Sequence, residues 1–376
     1  MTKTTTITEG ELEDLRGTVR AFLAEYSGEQ AVRRAVAADP GYDVDLWRRL
    51  ATELGLPAMA IPEAYGGDGF GLVTLGIVLG EMGRAMTPGP FFSSVILAAG
   101  ALLASGDETA CSTRLPGIAD GSVVGTLAVV EADGAWRTDG FATTAREDGG
   151  SWVLTGEKTL VPEGSSADLL LVAASTPAGP ALFAVDAGAA GLSAGALRTL
   201  DITRPISRVA LSETPAVLVG DLGAARQILA DVLVRASVAL AAEQVGAARA
   251  CLEMAVAYAK EREQFGRAIG SFQAVKHKLA DMLARVTLAD AAATEGLRAA
   301  DGFDDAPPAA VAAAVAHSVC SEAFMYVAAE NIQVHGGIGF TWEHPAHLYY
   351  RRAKADQLMF GGPAVYHERL LATLGV

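Results

Sequence analysis

One stretch limits the folds open to this chain. From DLGAARQILADVL, beginning at Asp221, to YAKERE, the sequence is Ala-rich and patterned as a single helix. Its roughly 40 residues would span about 60 Å at 1.5 Å per residue. A helix of that length in a soluble chain belongs in a bundle, where neighbours cover its faces.

What precedes this run changes character. From Glu9 to about Asp120, apolar residues recur at helical spacing, with Leu12, Leu15, Val19, Phe22 and Leu23 on one stripe, and TLGIVLGEMGRAM and SSVILAAGALLAS continue the pattern. Between about Gly121 and Gly220 the helical period fades. Short β-prone runs replace it, SVVGTLAVVE, SWVLTGEKTLV, ADLLLVAAS, ALFAVDA and RVALSE, separated by EDGG, TPAGP and DAGAAG. After the long run, further helices are expected at Ser271–Ala300, Pro307–Val334 and about His344–Leu374. Three lobes follow, over residues 1–120, 121–220 and 221–376: helical, β and helical. ADGFDDAPP reads as a turn, and no repeat of 20 to 50 residues is present.

Composition narrows the function classes. The chain has 376 residues, 51% hydrophobic and 19% charged, which predicts a large buried core. No apolar run is expected to reach the roughly 18 to 20 residues of a bilayer span, and the polar opening MTKTTTITEGELEDL lacks the order of a signal peptide. A cytosolic protein is expected. Cys111, Cys251 and Cys320 are odd in number and far apart, which disfavours a disulfide framework or a zinc site. A formal charge of −15 argues against nucleic acid or an anionic membrane as partner, and leaves room for local basic sites facing a phosphorylated ligand.

Two segments carry unusual residues at helix ends. In YAKEREQFGRAIGSFQAVKHKLADM a helix breaks at Gly266 and another begins after Gly270, with Arg262, Gln264, Phe265 and Gln273 around the break. A guanidinium there can grip a phosphate with two prongs, or the segment is only a solvated helix end. In AENIQVHGGIGFTWEHPAH, Gln333 and Gly336, Gly337 and Gly339 close a helix. Paired glycines can serve as a C-cap alone, or let backbone N–H groups approach a ligand unobstructed by Cβ.

At this spacing, in helical, β, helical order, these segments resemble the acyl-CoA dehydrogenase family. So do LGLPAMAIPEAYGGDGFG and YYRRAKADQL. The resemblance covers essentially the whole chain and implies an α+β, mostly α fold: an N-terminal helical domain, a middle small β-barrel or sandwich, and a C-terminal four-helix bundle. It further implies a flavoprotein oxidoreductase of lipid metabolism that desaturates an acyl-CoA or acyl-carrier thioester with FAD. The residues matching the family's pyrophosphate contacts are Arg262, Gln264 and Phe265, with Gln273 beside them. Those matching the adenosine contacts are Gln333, Val334, His335, Gly336 and Gly337. Both groups serve a neighbour's flavin, so a homodimer or tetramer, or a heterotetramer with a related subunit, is implied.

The chain departs from the family where the flavin ring would sit. The Thr-Glu-Pro and Trp-Ile-Thr/Ser segments are replaced by AVVEADGAW and EKTLVPEG, leaving Glu131 and Lys158 of the pattern. The usual basic glutamate is Phe360, and the alternative base position is Ala236. Glu243, two turns beyond Ala236 in an apolar run, is the candidate replacement: burial would raise its pKa toward that of a general base. It could equally be a structural polar residue. Tyr349, Tyr350, Arg351 and Arg352 are expected on a face meeting a neighbouring subunit. Pro345 within EHPAH disrupts any pairing of Glu343, His344 and His347 on a metal. The alternatives to a self-sufficient dehydrogenase are a half-site partner in a heteromeric, steroid side-chain type enzyme, and a flavin oxidase or oxygenase on the same fold.

Overall fold

The computed structural model describes residues 8–375. The polar opening MTKTTTI, part of the segment that argued against a signal peptide, lies outside the described residues.

The N-terminal lobe is helical: α1 (Glu9–Tyr26), α2 (Glu29–Ala37), α3 (Val44–Thr52), α4 (Leu72–Ala85), α5 (Ala99–Ser105) and α6 (Glu108–Ala119), with a π-helical segment Phe92–Ala98 leading into α5. A capping box starts α1, in which Thr8 and Glu11 exchange side-chain and backbone bonds. Of the predicted stripe, Val19 and Leu23 are fully buried.

The middle lobe holds β1 (Gly125–Ala128), β2 (Thr144–Asp148), β3 (Ser151–Pro162), β4 (Leu169–Thr176), β5 (Gly179–Asp186), β6 (Leu192–Ala196) and β7 (Ile206–Val219). Strand β4 pairs with β5, β5 with β7, β7 with β3, β3 with β2, and β2 returns to β4 through Thr144 and Ser175. This circuit closes a small barrel, which leaves few free edges. Strands β2 and β6 are additional to those expected from the sequence.

The last lobe contains α7 (Ala225–Glu261), a two-residue-strand hairpin of β8 (Glu263–Gln264) and β9 (Arg267–Ala268), α8 (Gln273–Ala300), α9 (Ala309–His335), α10 (Ala346–Leu358) and α11 (Pro363–Leu374). Helix α7 has 37 residues and is packed by α8, α9 and α4. Two expectations need correction. Helix α9 is long and apolar enough to cross a membrane, with mean hydropathy 1.4 over its most apolar window, yet most of that window is buried inside the protein. It is a core helix of the bundle. The helix expected over His344–Leu374 is two helices, because Phe360 (φ 63°) and Gly361 (φ 110°) turn the chain into the left-handed region.

Close backbone approach joins the lobes. A Cβ on Gly246 of α7 would lie 1.8 Å from the Gly80 carbonyl oxygen, and one on Gly83 of α4 would lie 2.1 Å from that of Glu243. From the α8–α9 turn, Asp301 accepts the Leu72 and Val73 N–H groups and so caps α4 from a distant part of the chain.

Candidate functional site

At the end of α7, Arg262 takes extended backbone and the chain reverses through β8 and β9, with Phe265 (φ 54°) and Gly266 (φ 74°) at the turn. Two successive positive φ values suit a two-residue hairpin loop. Arg262, Gln264 and Phe265 are exposed, Phe265 by 92%. Gln273, the first residue of α8, is exposed as well.

The end of α9 lies beside this hairpin, because the His335 ring packs 4.4 Å from that of Tyr258 in the last turn of α7. Gln333, Gly336 and Gly337 line a groove of about 740 Å³ with Phe340, Trp342 and Arg351. Gly336 has φ 62°, and among the described residues nothing occupies the space where a Cβ would stand on Gly336 or Gly337. A ligand backbone or ring can approach the main chain there, which fits the adenosine half of a dinucleotide; an exposed guanidinium on the adjoining hairpin fits its phosphates. Val334 and His335, expected with them, do not line this groove: Val334 is half-buried against the bundle core, and His335 is buried with Nδ1 2.8 Å from the Asn331 carbonyl oxygen and His344 against its ring.

The interior between barrel and bundle is unlike the sequence expectation. Glu243 is buried, but its surroundings are not apolar. Its Oε1 accepts from Arg204 at 2.7 Å and from the Arg352 guanidinium. Arg352 is itself buried, donating to Asp201 at 2.6 Å and to the Thr203 carbonyl oxygen at 3.0 Å. Tyr349 is also internal, its hydroxyl donating to the Arg84 carbonyl oxygen at 2.7 Å. Arg352 and Tyr349 therefore do not belong to an outward face. Two guanidiniums converge on one oxygen of Glu243 and hold its side chain in place. The apolar environment invoked for a general base there is absent.

Phe360 packs against Trp136 (ring centroids 5.2 Å, edge-on) and Phe92 (6.1 Å, stacked). Trp136 and Phe360 line a cavity of about 330 Å³ together with Val130, Leu160, Arg204 and Asp356. Val130 and Leu160, where the family pattern has its flavin-ring contacts, bring neither hydroxyl nor indole to that wall, and the indole and hydroxyl that line it come from Trp136 and Thr199 instead. Glu131 and Lys158 survive as an ion pair of 2.7 Å, and Glu131 also accepts the Ala142 and Thr143 N–H groups. Burial lowers the Lys158 ammonium to about 8 despite Glu131 beside it.

Asp356, missed by sequence reasoning, is fully buried. Burial raises its carboxyl to about 7, Arg204 opposes the rise, and Glu243 adds to it. Its sequence signal was a lone acid in YYRRAKADQL, four residues before Phe360. Glu163 behaves alike: burial lifts it to about 7 against the pull of Arg204.

Sequence models of three domains match: acyl-CoA dehydrogenase N-terminal domain over residues 9–122, middle domain over 126–211 and C-terminal domain over 226–374. Acyl-CoA dehydrogenase IpdE2 of Mycobacterium tuberculosis is 36% identical over 96% of both chains. Among solved structures, a variant of the Tcur3481-Tcur3483 steroid ACAD is 35% identical with TM-score 0.85, covering 97% of this chain and 98% of that one. The ChsE4-ChsE5 complex from Mycobacterium tuberculosis is 31% identical with TM-score 0.88, covering 98% of each.

Proposed function

The chain belongs to the acyl-CoA dehydrogenase family, and from that premise we propose that it acts in α,β-desaturation of an acyl thioester as the subunit that completes a neighbour's flavin site. The substrate class we propose is a steroid-type acyl-CoA, by similarity to the steroid ACAD and to the paired ChsE4-ChsE5 structure. An acyl-carrier thioester is the chemical equivalent.

Desaturation needs a base at the α-carbon, donors to the thioester oxygen and a hydride acceptor at the β-carbon. Bound FAD supplies the hydride acceptor. In our reading Arg262 grips the diphosphate, Gln264 and Phe265 flank it, Gln273 stands by at the start of α8, and Gln333, Gly336 and Gly337 receive the adenosine. The single observation carrying the proposal is the contrast at Phe360. The base position holds a phenyl ring packed on Trp136 and Phe92, while the outward segments keep their exposed polar groups and open glycines. Phe360 cannot accept a proton, and Glu243 is tied to two guanidiniums. The α-proton then falls to a base on the companion subunit.

Flavin content tests this. Purified alone, the chain should carry almost no FAD; co-expressed with a related subunit, it should form a complex with one FAD for each pair of chains. One FAD per chain in the isolated protein, bleached by an acyl-CoA, would refute the half-site role.

A further inference from the structure

Histidines gather where the two halves of the proposed FAD cradle join. His335 is the last residue of α9, immediately before Gly336, and its ring lies 4.4 Å from that of Tyr258 and 4.2 Å from that of His344. Tyr258 belongs to the last turn of α7, and its carbonyl oxygen accepts the Arg262 N–H at 2.8 Å. His344 precedes α10, whose second residue, His347, lines the groove and packs on Trp342 at 4.6 Å. The stack of Tyr258, His335 and His344 thus ties the Arg262 hairpin to the turn at Gly336 and Gly337, and that turn to the start of α10.

The hydrogen bonds fix which nitrogens carry protons. His335 Nδ1 stands 2.8 Å from the Asn331 carbonyl oxygen, which only accepts, so in the neutral ring Nδ1 holds the proton and Nε2 the lone pair. His344 is the reverse. Its Nδ1 accepts the Ala346 N–H at 3.2 Å, the first N–H of α10 and one with no partner inside the helix. A second proton on His344 must go to Nδ1. There it sets a donor against the Ala346 N–H, places positive charge at a helix N-terminus, where the dipole opposes it, and does so 4.2 Å from the His335 ring. The other charged and titratable groups around the stack are Glu29 and Arg33 of α2, Tyr258 of α7, and His347 and Arg351 of α10. Burial, and after it His335, hold the His344 imidazole below its ordinary value of 6.5; Glu29 pulls the other way, and His347 and Arg33 add to the lowering. The folded cradle favours neutral His344, so what this residue contributes is present at neutral pH and lost as pH falls.

We propose that His344 is a positioning residue for the cofactor: neutral, it bonds the first N–H of α10 and closes the ring stack that keeps Arg262 and the Gly336 turn in register; protonated, it gives up that register and the neighbour's FAD is released. The inference rests on the proposed role of Arg262, Gln333, Gly336 and Gly337 toward that FAD, and adds to it a release triggered by acid.

FAD release from the assembled pair is followed by flavin fluorescence on dilution, in steps from pH 7.5 to pH 5.5, a range that stays above the isoelectric point near 4.9. Release should be at least about tenfold faster at the acid end, because the protonated fraction of a histidine titrating below its ordinary value grows by that factor or more over the range. His344→Asn keeps an acceptor for the Ala346 N–H but takes no proton, so its release should be nearly flat with pH. His344→Ala, with no acceptor, should release fast at every pH. Hydrogen–deuterium exchange over residues 338–350, corrected for the intrinsic pH dependence of exchange, reads the same event in the wild-type chain: protection should fall toward pH 5.5. Unchanged protection, wild-type release indifferent to pH, or release from His344→Asn as pH-dependent as wild type would overturn the proposal, the first two whether or not the variants fold. Arg262→Lys in the same pair separates the two levels of the argument. If it speeds release at pH 7.5 while pH alone has no effect, only the role of His344 falls; if neither changes release, the reading of the cradle falls with it.

Discussion

Two guanidiniums, Arg204 and Arg352, serve four buried carboxyl groups in the interior: Asp201, Glu243, Glu163 and Asp356. Such a set is near charge balance only when two acids keep their protons, which agrees with Glu163 and Asp356 both rising to about 7. The sign of the linkage follows. Between an unfolded value near 4 and the folded value near 7, the native state holds a proton that the unfolded chain has released, so stability from these groups is present at low pH and lost as pH rises. His317, lowered to about 4 by burial, acts with opposite sign between about 4 and 6.5, so the whole profile mixes the two. The difference between wild type and Asp356→Asn isolates the carboxyl. The variant's melting temperature relative to wild type should climb from pH 5 to pH 7 and then level; a flat or falling difference would remove Asp356 from the protonated set. Arg352→Leu, by contrast, strips partners from Asp201 and Glu243 at once and should cost about 3–5 kcal/mol in denaturant titration. Loss within about 1 kcal/mol would mean the network is not a structural anchor.

Helices α4 and α7 touch at glycines, and that contact sets the position of Glu243. With a Cβ on Gly83 falling 2.1 Å from the Glu243 carbonyl oxygen, Gly83→Ala must push α4 away from α7. The expected cost is about 1–3 kcal/mol by chemical denaturation, with Gly246→Ala at least as damaging; alanine variants as stable as wild type would show that the helices are not so close. Much of this architecture is legible in the sequence. The long α7 run and the helical stripe of α1 declare their period, and β3, β4, β5 and β7 are rich in apolar β-formers. Strands β2 (TARED) and β6 (LSAGA) lack that composition, because pairing to β3 and β7 holds them in place. The division within YYRRAKADQLMFGGPAVYHERLL was hidden for a different reason: helical periodicity runs through Phe360, and only its left-handed backbone separates α10 from α11. Arg262 and the Gly336-Gly337 pair could be singled out because each sits at a local break. The cavity could not be, since Trp136, Arg204 and Asp356 come from three separate elements and meet only in the folded protein. Glu243 was placed on the correct helix with the wrong environment, for periodicity does not show which guanidiniums arrive from elsewhere.

At the scale of the whole molecule, a chain of net charge −15 leaves large aromatic surface uncovered at one end: Phe265 is 92% exposed, Phe340 85% and Trp342 61%. Phe340 and Trp342 line the groove that contains Gln333, and Phe265 sits on the hairpin next to it. Uncovered aromatics rimmed by polar groups mark an interaction surface, and here that surface carries the residues proposed for a neighbour's FAD. Two substitutions separate pairing from cofactor holding. Phe340→Ser combined with Trp342→Ser removes aromatic burial, so the assembled pair should dissociate in sedimentation at micromolar concentration, and FAD should be lost as a consequence. Arg262→Lys keeps charge but replaces a planar fork by a point donor. The pair should stay assembled while its FAD dissociates about tenfold faster, read from flavin fluorescence on dilution. If Arg262→Lys leaves FAD retention untouched in an intact pair, Arg262 does not hold the diphosphate. If the aromatic double variant remains paired, the interface lies on another face, and Arg262 and Gln333 could not reach a partner's cofactor.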